Sequence, residues 1–196
     1  MFTYIFIIHS VQLLLMFIRV KKVIKAKREY EYAYLVNSKW RKRAKRKGMG
    51  KWPEHIYLGH IGRVYRFEPS YFCDFSDFIG GDFDKFIEKN QINEIYKKFI
   101  EYELINSGFK KNGSLYFNGN VIVDFSKLMV HCNGKEAVVK INKERGYICS
   151  LYLEELFKIT NINGRVEGME LMKRLKQVGA KIGPELFYNL VKKMMI

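Results

Sequence analysis

Proline occurs three times, cysteine three times and alanine five times in 196 residues, and acids number only 20 against 35 lysines and arginines. A chain this poor in proline yet 48% hydrophobic is neither collagen-like nor disordered. Cys73, Cys132 and Cys149 leave one thiol unpaired in any intramolecular scheme and show no Cys-x-x-Cys spacing, so neither a disulfide scaffold nor a zinc finger is supported. A reduced interior is expected. The glycines form no G-x-G-x-x-G or phosphate-loop pattern, and no serine elbow or Cys/His nucleophile motif occurs. No enzyme activity and no cofactor are expected on that basis.

What is present is positive charge in one place. Arg19 to Arg66 holds 16 Lys and Arg but only three acids, Glu29, Glu31 and Glu54, an excess of +13 out of a total of +15. Phe67 to Ile196 is close to neutral. Charge so concentrated calls for a polyanion, either nucleic acid or an anionic membrane surface.

The spacing predicts an α+β chain in three parts. Residues 1–18 form an apolar stretch, uncharged from Phe2 to Ile18 and about 25 Å long as a helix, suited to a short membrane span, a leader or a buried helix. Residues 19–53 continue as a basic amphipathic helix, with Val20, Val23, Ile24, Tyr30, Tyr34 and Leu35 on one face, running into a basic arm that ends at Gly48 to Pro53. Residues 54–196 make a single α+β domain. In it, His55 to Phe67 reads as a strand or short hairpin, and Glu68 to Gly81 as an irregular loop. Asp82 caps a helix that Asn90 to Asn93 interrupt and Ser107-Gly108 end. Asn-Gly at 112–113, 118–119 and 133–134 divides Leu115 to Ile141 into an antiparallel meander with type I′ turns, and Val121, Val123 and Phe125 alternate with Ile122 and Asp124. The C-terminus is helical: Leu151 to Ile159, Val166 to Val178, and a last helix opened by Pro184.

The sharpest functional clue is the run Lys39, Trp40, Arg41, Lys42, Arg43, Ala44, Lys45, Arg46, Lys47 through Lys51 and Trp52, in which eight of the thirteen residues from Lys39 to Lys51 are basic. Such cations neutralise phosphates and release counterions, and Trp40 and Trp52 offer rings for unpaired bases. His55, His60, Cys73 and His131 are metal-ligand types, but their spacing matches no ligand motif and no metal is expected.

A basic arm joined to a small, nearly neutral α+β body resembles, at class level, the ribosomal proteins of organelles. Lys39 to Lys51 with Trp40 and Trp52 carry that resemblance. It implies a structural RNA-binding protein, a ribosomal subunit component that docks on rRNA and neighbouring proteins. Lys, Ile, Asn, Phe and Tyr, the residues of AT-rich codons, supply 85 of the 196 residues, which points to a low-GC genome such as that of an organelle, a phage or a low-GC bacterium and agrees with mitochondrial coding and a place in the mitochondrion. The rival is a single-pass membrane protein anchored by Phe2 to Ile18, with a basic juxtamembrane stretch and a globular interaction module. A third reading, a metal-dependent nuclease, rests on Asp74, Asp77, Asp82 and Asp84, which capping and surface ion pairs explain as simply.

Overall fold

The computed structural model describes residues 16–41, 52–69, 73–141 and 146–195, with backbone alone at 39–41 and 52–54. The described residues form eight strands and six helices, an α+β chain. It divides into two units, Met1–Val64 and Tyr65–Ile196.

In the first unit, β1 (Met16–Lys25), β2 (Arg28–Arg41) and β3 (Trp52–Arg66) run antiparallel in that order, β3 extending two residues into the second unit. The amphipathic helix expected from residue 19 onward is therefore corrected to a hairpin, and Met16–Ile18 of the apolar stretch begin its first strand. The rest of that stretch, residues 1–15, lies outside the described residues. The cause is local. Lys25 pairs with Arg28, so Ala26-Lys27 is a two-residue turn, and both residues take positive φ, 48° and 64°, as a type I′ turn requires. Valine, isoleucine and tyrosine dominate the flanks, and they fit a pleated surface better than a helix.

The second unit builds its core where helices meet a meander. After α1 (Phe75–Ile79), a short turn of helix inside the expected loop, come α2 (Phe83–Lys89) and α3 (Ile92–Asn106). Asp82 caps α2 as expected, its carboxylate accepting from the Asp84 N–H at 2.8 Å. Strands β4 (Lys110–Asn112), β5 (Leu115–Asn118), β6 (Val121–Asp124), β7 (Met129–Cys132) and β8 (Lys135–Lys140) pair antiparallel in sequence, and α4 (Ser150–Phe157), α5 (Arg165–Gln177) and α6 (Pro184–Met194) complete the unit. Ile95, Phe99 and Leu104 of α3 are buried, as are Val123 and Val138 of the meander, Leu153 of α4, Leu171 and Leu175 of α5 and Leu190 of α6. Lys193 donates to the carbonyls of Ile87, Glu88 and Asn90, a cation on the negative end of α2 that ties α6 to it.

Two details depart from expectation. The Asn-Gly turns are not alike: only at Asn133-Gly134 are both central φ values positive (51° and 72°). Asn112 and Asn118 instead end their strands, leaving Gly113 and Gly119 as first central residues with positive φ, the type II′ pattern. Asp124, expected to face outward, is buried. Its carboxylate turns back into the β6–β7 loop and accepts from the Ser126 N–H at 2.8 Å and the Ser126 hydroxyl at 2.6 Å. Burial alone would raise its pKa, but these bonds hold it below the ordinary carboxylate range.

All three cysteines are free. Burial pushes the Cys149 thiol up to about 12, whereas half-buried Cys73 donates its S–H to Asn106 Oδ1 at 3.4 Å. Iodoacetamide followed by peptide mass mapping is expected to label Cys73 first in the native protein and Cys149 only after denaturation. Native labelling of Cys149 at a rate matching Cys73 would contradict the packing around α4.

Candidate nucleic-acid interface

The hairpin sorts its residues by parity. In β2 the sequence Tyr30-Glu31-Tyr32-Ala33-Tyr34 alternates, so the three tyrosines share one face and Glu29, Glu31 and Ala33 share the other. The β1 register places Arg19 opposite Tyr34, Lys21 opposite Tyr32 and Lys25 opposite Arg28, all on the tyrosine face. Lys22 lies on the far face, paired to Glu29 at 2.6 Å.

Strand β3 reaches the same face by a less regular route. Tyr57, His60 and Arg63 are spaced by three, which in a plain strand would throw them to alternate sides. Two register shifts, between Ala33 and Tyr34 and between Leu35 and Val36, each pass over one β3 residue, Ile61 and Leu58, next to Gly62 and Gly59. Such bulges re-aim side chains. Here they bring Tyr57, His60 and Arg63 opposite Val36, Tyr34 and Tyr32.

Ring contacts follow from this register. His60 lies between Tyr34 (5.3 Å) and Tyr32 (5.8 Å), and Tyr34 meets Tyr57 edge-on at 6.0 Å. The cations lie over the rings: Lys21 Nζ is 4.3 Å from the Tyr57 centroid and 5.4 Å from that of Tyr34, Lys25 is 5.8 Å from Tyr32, and the Arg63 guanidinium is 4.6 Å from Tyr30. Each such contact at an exposed site contributes about 0.5–1 kcal/mol, and those near 6 Å least. Arg19, Lys21, Lys25, Arg28 and Arg63 are exposed, and the described side chains of this face include no acid. On the opposite face Ile18, Ala33 and Val64 are buried.

Four of the ten residues singled out in the sequence fall where β2 ends and β3 begins. Lys39, Trp40, Arg41 and Trp52 lie on strands, with Lys39 opposite Glu54, Trp40 opposite Pro53 and Arg41 opposite Trp52. This replaces the flexible arm expected at those four positions with paired backbone. Lys42, Arg43, Lys45, Arg46, Lys47 and Lys51 lie outside the described residues, in the ten-residue connection between the paired Arg41 and Trp52. Sequence reasoning placed Tyr30 and Tyr34 on a helix face and weighed His60 only as a metal-ligand type; it did not pick out Tyr32, Tyr57 or Arg63, nor this face as a site. The signals for them were the period-two tyrosines and the short repeat Tyr57-Leu58-Gly59, His60-Ile61-Gly62.

Several of the other candidates have ordinary partners. His55 packs edge-on against Phe17 at 5.6 Å, and Asp84 accepts from Asn189. No group of three or more His, Cys, Asp or Glu suited to a metal ion occurs among the described residues. A groove of about 500 Å³ between α2 and α6 is lined by Asp84, Ile87, Glu88, Asn189, Lys192 and Lys193, so its Asp84 and Lys193 already have partners. In α3, burial would raise the Glu101 carboxyl, but Lys111 at 2.7 Å and Lys98 at 3.2 Å hold it below its ordinary range. No helix among the described residues is long and apolar enough to cross a membrane.

Comparison with protein-family models, with curated proteins and with solved structures finds no match for this chain.

Proposed function

We propose that the chain is a structural RNA-binding protein, a component of a large ribonucleoprotein particle of the mitochondrial-ribosome kind, that grips phosphates with the cationic face of β1–β3 and the basic run between β2 and β3. The observation that carries this reading is the sorting of charge by strand pairing. Five cations share one face without a described acid, while Glu29 and Glu31 lie behind it. A chain that needed positive charge only for solubility has no reason to segregate the two signs. A surface that meets a polyanion does, because an acid among the cations would repel phosphate and cancel counterion release.

The role of each group follows from its chemistry. Arg19, Arg28 and Arg63 offer planar forks to phosphate oxygens, and Lys21 and Lys25 act as point charges beside the tyrosine rings. Contacts of this kind position the protein on RNA and carry little sequence information.

The test is a salt titration of the full chain on fluorescein-labelled RNA. With five or more phosphates neutralised, the logarithm of the affinity is expected to fall against the logarithm of salt with a slope of about −3.5 or steeper. A slope near zero refutes the reading. So does binding to phosphatidylserine vesicles without affinity for RNA, which assigns the face to lipid.

A further inference from the structure

The cationic face carries groups that a duplex backbone has no use for. Resting on the RNA reading above, we propose that its substrate is unpaired RNA, whose bases stack on Tyr32, Tyr34 and Tyr57 while Lys21, Lys25 and Arg63 take the phosphates between them. Duplex RNA turns its bases inward and offers phosphates and 2′-hydroxyls across a shallow groove, and aromatic rings gain nothing there. Unpaired RNA offers flat faces, and a sheet with aromatic rings beside basic residues is suited to stacking two or three successive bases.

Three features of the face fit that use. Its rings are braced before any ligand arrives, since the His60 ring contacts both Tyr32 and Tyr34 and Tyr57 meets Tyr34 edge-on. They stay accessible: Tyr57 is 44% exposed, and Tyr32 and Tyr34 are half-buried. Lys21 over Tyr34 and Lys25 over Tyr32, at 5.4 and 5.8 Å, are near the outer limit of a useful contact, so a base takes those two rings cheaply, while Lys21 sits closer to Tyr57, at 4.3 Å, and moves aside only for a base on that ring. A displaced ammonium remains within reach of the phosphate next to that base. Because every base has a flat face, this binding tolerates sequence and prefers unpaired regions.

The rival account is that the rings only hold the cations in place. Paired anisotropy titrations separate the two, using an unstructured RNA of about 12 nucleotides and the duplex of the same sequence, with the full-length protein. The double variant Tyr32→Leu/Tyr34→Leu is expected to lose about 30-fold or more on the single strand, to stay within about twofold on the duplex, and to keep its salt slope. Tyr32→Phe/Tyr34→Phe, which keeps the rings, is expected to stay within about threefold on both. Equal loss on both RNAs, or a wild-type protein that binds duplex as tightly as single strand, overturns the proposal while leaving the cationic face as an RNA site. Binding to neither RNA instead removes the RNA reading itself. Should the leucine variant fail to fold, ultraviolet crosslinking of the wild-type protein to single-stranded RNA decides the matter. Adducts at Tyr32, Tyr34 or Tyr57 support the stacking site, and adducts confined to other residues overturn it.

Discussion

Gly146→Ala is expected to destabilise the second unit by more than about 3 kcal/mol, the upper end of ordinary overpacking, because here nothing soft can yield. A Cβ at this position would come 2.3 Å from Gly179 Cα, 2.7 Å from Gly179 N and 3.1 Å from Lys176 O, all of them backbone atoms. Neither chain is free to retreat. Beside Gly146, the Tyr147 N–H donates to Gln177 O at 2.7 Å, and Ile148 exchanges two 2.8 Å bonds with Val139 of β8. Gly179 ends α5 in the left-handed region at φ 82°, where its own N–H donates to Lys176 O and the Ala180 N–H to Leu175 O. Separating the two glycines means breaking these bonds in a buried setting, so strain and lost hydrogen bonds add. Urea unfolding measures the effect as a lower midpoint at unchanged slope. Gly168→Ala is the matched control. It lies within α5 with nothing within 4 Å of the added Cβ, and it is expected to stabilise by about 0.5–1 kcal/mol through helix propensity. If Gly146→Ala stays within about 1 kcal/mol of wild type, the close approach of the two backbones is wrong.

The difference between the two units explains what could be read from the sequence. In the second unit local signals agree with tertiary structure: Asn-Gly pairs mark the turns, Asp82 and Pro184 open helices, and apolar stripes of α3 and α6 coincide with buried faces, whereas in α5 Leu171 and Leu175 are buried but Met169 of the same stripe is exposed. The α+β class follows from these elements. The first unit hides its strands for three reasons. Its turn, Ala26-Lys27, contains neither glycine nor asparagine, and the steric cost of about 1–2 kcal/mol per left-handed residue is borne by a ladder of paired strand residues that no local window reveals. Its two faces are both partly charged, one by Arg19, Lys21 and Lys25, the other by Lys22, Glu29 and Glu31, so the period of two is blurred and the valine and tyrosine positions mimic a helical stripe. The bulges in β3 then turn a spacing of three into a common face, which pattern counting assigns to neither strand nor helix. The charge excess was visible as a total. Its segregation onto one face depends on pairing, and so does the position of the tyrosines beside it.

Replacing Lys21, Lys25, Arg28 and Arg63 together with glutamine is expected to weaken RNA binding by about 100-fold or more at physiological salt, at about 1 kcal/mol or somewhat less for each cation near an anionic surface. The slope of the salt titration should flatten by nearly 3 units, about 0.7 for each phosphate no longer neutralised on a single strand. The fold should tolerate the change. The cation–π contacts of Lys21, Lys25 and Arg63 lie at the surface, and removing four like charges from one face relieves repulsion that partly offsets their loss. Net charge alone predicts the same result wherever four cations are removed, so the decisive comparison is a second variant with Lys110, Lys127, Lys135 and Lys181 of the second unit changed to glutamine, all of them exposed. That variant should keep both affinity and slope close to wild type. Equal losses in the two variants would mean that RNA senses only the overall field, and the face would have no special part. An unaffected first variant would shift the whole interaction to the basic run between β2 and β3. Only loss confined to the first variant is consistent with strand pairing, rather than composition, deciding where the RNA lies.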